Sequence, residues 1–141
     1  MRASAYGKAL AAVAVMGVVA NAVATNVFVA AMNPQDWGER VLPALGWALV
    51  LAALTTLFVL ASTVWLRSGP QLSSWPGALL AFAGPALAWT IIGLIVGAWL
   101  FPLYAFYGLG SGVVASVVFI LTLRRVQRSG EDRRAASLPS V

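Results

Sequence analysis

The sequence predicts an all-α fold: an integral membrane four-helix bundle with both termini in the cytoplasm. Three observations carry that expectation. First, 61% of the 141 residues are hydrophobic and 9% are charged. A soluble domain carries roughly 25% charged residues, so charges this sparse cannot cover a water-facing surface. Second, the charges stand at the ends of long uncharged runs, each long enough for a helix across ~30 Å of hydrocarbon, which takes about 20 residues. Third, the basic residues are unevenly divided. The termini and the second loop hold Arg2, Lys8, Arg67, Arg124, Arg125, Arg128, Arg133 and Arg134, and the alternate loops hold only Arg40, beside Asp36 and Glu39. The positive-inside rule then puts both termini in the cytoplasm. A bacterial-type cytoplasmic (inner) membrane is the expected location, because the Ala/Val/Arg-rich composition resembles that of short bacterial four-span proteins.

The domain runs over residues 1–123, with helices at about 9–32, 42–66, 77–100 and 103–123. The first follows Arg2 and Lys8 and is uncharged from Ala9 to Gln35. Basic residues, an apolar stretch and the small-x-small triplet at Ala20-Asn21-Ala22 also describe a secretion signal. The apolar run continues through Val27, Phe28 and Val29, beyond an ordinary signal core, so an uncleaved helix is expected. Asn33-Pro34 breaks it. The second run spans Val41 to Leu66, with Pro43 placed in its first turn, where a missing N–H does no harm. Trp47 and Trp65 mark its ends, at headgroup depth.

Arg67 to Pro76 has turn composition. No charge follows from Ser68 to Leu123, too long for one span, so a break is expected at Pro102. Trp99, Phe101, Tyr104, Phe106 and Tyr107 cluster there as an interfacial aromatic belt. Residues 124–141 read as a flexible basic cytoplasmic tail, free to attract anionic lipid or a partner's acidic face.

At 100° per residue, three spans show stripes of small and hydroxylated residues. The first carries Ala14, Gly17, Asn21, Ala24, Thr25 and Phe28. The second carries Ala44, Ala48, Ala52, Thr55 and Ser62, and the fourth Tyr104, Gly108, Gly112, Ala115, Phe119 and Thr122. Such stripes let helix backbones approach, so a packed bundle is expected. The third span has Gly77, Ala81, Gly84 and Ala88 on one face and the Gly93/Gly97 pair on roughly the other, with Pro85 between as a kink. That kink is expected to turn both faces into the same bundle; the other reading gives one face to another subunit.

Asn21 lies at mid-span, where an amide needs an internal hydrogen-bond partner. The expected intramembrane polar cluster is Asn21, Thr25, Thr55 and Thr56. Asn26 projects about 140° from Asn21 and is expected to meet a partner or the outer interface. Trp89, with Gly93 and Gly97, is a further candidate contact for a partner or pocket, though packing within a helix interface is the plainer expectation for an indole at that depth.

There is no Cys and no His, which removes thiol redox chemistry, imidazole catalysis and the usual zinc and haem ligands. No span contains Asp, Glu, Lys or Arg, one of which normally marks a proton-coupled pump. No catalytic, metal or cofactor-binding residue is therefore assigned, and no cofactor is expected. Nucleic acid is not an expected partner, since no aromatic side chains interleave the tail arginines. The expected function is non-catalytic: a multi-pass protein acting through helix packing, as an accessory or assembly subunit of a membrane complex or as a homo-oligomer. The expected partners are the lipid bilayer and a membrane protein or a second copy. The alternative is a passive channel or carrier for a small neutral solute or ion near Asn21 and Thr55.

Overall fold

The computed structural model describes residues 2–32, 35, 37–66, 73–97 and 101–136. These form four α-helices: α1 (Arg2–Met32), α2 (Trp37–Thr63), which tightens into a 3₁₀ turn at Val64–Leu66, α3 (Trp75–Val96) and α4 (Phe101–Ala136). Among the described residues there is no strand. All four helices are long and apolar enough to cross a membrane. Asn33, Pro34, Asp36, the loop from Arg67 to Leu72, and Trp99 lie outside the described residues.

The helices pack in a ring. α1 lies against α2 and α4, α3 lies against α2 and α4, and α2 meets α4 only lightly across the diagonal. Successive helices alternate in direction. Tyr6 of α1 hydrogen-bonds Thr63 at the end of α2 and stacks edge-on against Phe119 of α4. Gly93 of α3 meets Phe101 and Tyr104 at the start of α4, at the opposite end of the bundle.

α1 ends at Met32 and the 3₁₀ turn that closes α2 ends at Leu66, both as expected; the other helix boundaries differ from the sequence expectation, each for an identifiable reason. α1 begins at Arg2 rather than Ala9, because Ala5 and Tyr6 are buried core residues and the Tyr6–Thr63 bond ties that turn down. α2 begins at Trp37, so Pro43 lies inside the helix and not in its first turn. Glu39 sits in that first turn, where a carboxylate suits the positive end of the helix dipole. α3 starts at Trp75 with Pro76 in its opening positions and stops at Val96, short of Leu100. Gly97 ends it with φ 155°, a conformation that favours glycine. α4 starts at Phe101 with Pro102 in its first turn, where proline is tolerated. Residues 124–136 continue α4 as helix and are not a flexible tail over that stretch. Arg, Gln, Glu and Ala are good helix formers, and the change from apolar to charged residues marks a change of solvent, not a helix end.

Most buried side chains gather in one cluster toward the end that carries Arg2 and Arg124. It holds Tyr6, Ala9, Val13, Val59, Ala81, Ala115, Phe119 and Leu123. Lipid tails are as apolar as these residues, so the cluster is held by van der Waals contact rather than by exclusion of water. Contact requires close approach, and glycine provides it along α3. A β-carbon at Gly112 would lie 2.7 Å from the Phe82 carbonyl oxygen, and one at Gly108 would lie 2.8 Å from the Trp89 β-carbon. At Gly84 the clash would be with the Phe58 carbonyl oxygen of α2, at 2.6 Å.

Gly112→Ala should therefore lower stability by about 1–3 kcal/mol, the usual effect of overpacking. Gly46→Ala should be neutral or slightly stabilising, because Gly46 has nothing within 4 Å of its would-be β-carbon. Unfolding in detergent micelles checks both; equal losses at the two positions would contradict this packing.

Candidate functional site

The mid-depth interior is polar and aromatic, and each helix contributes at least one residue to it. Asn21 of α1 is 7% exposed. Its Nδ2 donates to the Gly17 carbonyl one turn back, at 2.8 Å. Its Oδ1 accepts from the Tyr107 hydroxyl of α4, at 2.7 Å. Tyr107 packs edge-on against Trp89 of α3, with ring centroids 5.0 Å apart and planes at 89°. The Trp89 indole N–H donates to the Thr55 hydroxyl of α2 at 3.3 Å. Tyr104 stacks on Trp89 from α4, and Phe58 meets the same indole edge-on from α2. Such ring pairs are worth about 0.5–1.5 kcal/mol each beyond their buried area. Among the described residues, no buried side-chain nitrogen or oxygen lacks a hydrogen-bond partner.

This arrangement differs from the expected cluster in three ways. Thr55 takes part, but its hydrogen bond comes from Trp89 and not from Asn21. Thr25 donates to the Asn21 main-chain carbonyl at 2.6 Å, and Thr56 donates to the Ala52 carbonyl at 2.8 Å. Both hydroxyls are thus satisfied within their own helices, as short polar side chains often are. The third difference is Tyr107, grouped in sequence with the interfacial belt but turned inward. Its signal was spacing. Tyr107, Ser111, Val114 and Val118 recur at intervals of four, three and four, which sets them on one face of α4.

The remaining candidates are also placed. Trp89 is 3% exposed and packed among rings. Gly93 is buried in the α3–α4 seam against Tyr104. Gly97 caps α3, its N–H donating to the Gly93 carbonyl at 3.2 Å. Asn26 is half-buried and donates to the Ala22 carbonyl at 2.7 Å. Toward its C-terminal end α1 loses cover, and Phe28, expected on the packed stripe, is 64% exposed.

Beside the cluster, α1 and α4 separate enough to leave a laterally open cavity of about 260 Å³. Its walls are almost wholly apolar or small, including Val13, Gly17 and Ala20 on α1 and Gly110, Val114 and Val118 on α4, with Asn21 and Tyr107 at its inner wall. Among the described residues no group of His, Cys, Asp or Glu is placed to hold a metal ion. No protein family, no curated protein and no solved structure matches this chain.

Thr55→Val removes the acceptor of the buried Trp89 N–H, so it should destabilise the bundle by ~1–3 kcal/mol, the penalty of an unsatisfied donor. Thr25→Val and Thr56→Val, whose hydroxyls bond only their own helices, should change stability by less than about 0.5 kcal/mol. Thermal unfolding of the three variants in one detergent checks the ranking, which a loss at Thr56 as large as that at Thr55 would refute.

Proposed function

We propose that this protein is a non-catalytic multi-pass subunit of the bacterial-type cytoplasmic membrane, with both termini cytoplasmic, acting through helix packing within a larger assembly or with further copies of itself. The observation that carries the reading is the state of the intramembrane polar groups. Asn21, Thr55, Trp89 and Tyr107 bond one another or their own backbones, and bulky rings fill the space between the helices. A solute pathway would need polar groups open to a passing molecule, and the cluster offers little of that.

The partner-facing group is Asn26. It shares the outward face of α1 with Val15, about 20° away in projection; Val15 is 62% exposed. The hydrogen bond of the Asn26 side chain goes from Nδ2 to its own helix, at the Ala22 carbonyl, which leaves the side-chain Oδ1 for a donor from outside α1. An amide facing hydrocarbon with half of its capacity unused favours a neighbouring helix that completes it. The orientation rests on charge: Arg2, Lys8, Arg124, Arg125 and Arg128 stand at the end of the bundle where Tyr6 meets Thr63, and Arg40 stands at the other.

The test is the mass of the intact assembly after mild extraction from native membrane. A stable complex or oligomer is expected, and Asn26→Leu should dissociate it while leaving the monomer's melting temperature unchanged. Release as a monomer, together with solute flux in reconstituted liposomes, would instead support a passive channel.

A further inference from the structure

The α1–α4 cavity is a feature that helix packing alone leaves unused. Its lining residues Ala20, Ala24, Gly110 and Val114 lie mid-helix and are exposed, so the cavity is reached from the flank of the bundle, where lipid stands. Its walls are small and apolar, so an occupant must be slender and apolar where it lies inside. Gly110 stands on the α4 wall. A β-carbon there would meet nothing within 4 Å, so this glycine serves no helix contact within the chain, unlike Gly108 and Gly112 on either side of it.

The α4 wall continues toward the basic end of the bundle. Arg125 projects within about 20° of both Val114 and Val118, and Arg128 lies one turn further on, about 40° from Val114. Both arginines are exposed. At 1.5 Å per residue, Arg125 lies about 10 Å along the axis from Val118 and about 17 Å from Val114. One leaflet contributes about half of the ~30 Å hydrocarbon thickness. A chain whose headgroup rests at Arg125 therefore reaches the cavity. Lys8 on α1 projects about 140° from Val13, and Arg124 projects about 80° from Val114, so both face elsewhere.

We propose that this cavity binds one acyl chain of an anionic phospholipid from the leaflet at the basic end, with Arg125 and Arg128 holding the phosphate. The arginine pair supplies the charge complement to the headgroup, and the cavity supplies the chain site. This goes beyond the subunit reading and does not depend on it, since Asn26 lies on a different face of α1.

The probes are phosphatidylglycerol and phosphatidylcholine, added to detergent-purified protein and read by native mass spectrometry and thermal shift. One phosphatidylglycerol should be retained per chain in preference to phosphatidylcholine. Arg125→Gln should weaken that retention about fivefold, as expected for one cation near an anionic headgroup, and Lys8→Gln should leave it unchanged. Gly110→Leu should abolish retention of the lipid while keeping the melting temperature of the lipid-free protein, because it adds bulk to the cavity wall at a position whose β-carbon meets nothing within 4 Å. Equal retention of the two lipids, retention that survives Gly110→Leu, or a second polypeptide displaced by Gly110→Leu would each overturn the proposal.

Discussion

The bond from the Tyr107 hydroxyl to the Asn21 amide is the interaction on which the rest of the interior depends. In hydrocarbon no water can satisfy an amide, so Asn21 fixes what must lie opposite it. Satisfying it with a phenol brings a large ring into the bundle centre. That ring in turn requires a packing partner, which Trp89 provides, and the Trp89 indole requires an acceptor, which Thr55 provides. One unsatisfied group on α1 thus draws in a residue from each other helix. Removing any member leaves either a polar group without a partner or a ring without a face.

Close approach is the second constraint, and it acts where the polar cluster does not. Between α3 and α4 the glycines at 93, 108 and 112 let side chains or carbonyls of the neighbouring helix come almost to the backbone. Dispersion falls away within an ångström or so of the optimum separation, so these positions hold the seam more firmly than larger residues would. α1 has fewer such contacts. Only 11% of its most apolar stretch is buried, against 28–33% for the other three helices. It is therefore the helix with most surface left for lipid or for another chain.

Much of this architecture was legible in the sequence. The stripes on α2 and α4 read correctly because small residues recur at helical spacing and because those helices are flanked along their length: Ala48, Ala52, Thr55, Gly112, Ala115 and Phe119 are all buried. On α1 the same projection succeeded at Asn21 and failed at Ala24 and Phe28, which are exposed, because periodicity does not say where a neighbour ends. Helix boundaries were misplaced for a related reason. Charge changes at Lys8 and Leu123 locate the edge of an apolar run, and the helices continue past both. The importance of Asn21 was visible, but its partner was not. Choosing Tyr107 over Thr55 requires the register of α1 against α4, which comes from the packing of Tyr6 on Phe119 as much as from any local signal.

The central claim is that Asn21 and Tyr107 act as one unit that joins α1 to α4. A double-mutant cycle with Asn21→Leu, Tyr107→Phe and the double variant, read by unfolding in detergent, tests it most directly. The account predicts a coupling energy of about 0.6–1.7 kcal/mol, the range for hydrogen bonds between membrane helices. Additive losses, with no coupling between the two positions, would contradict it.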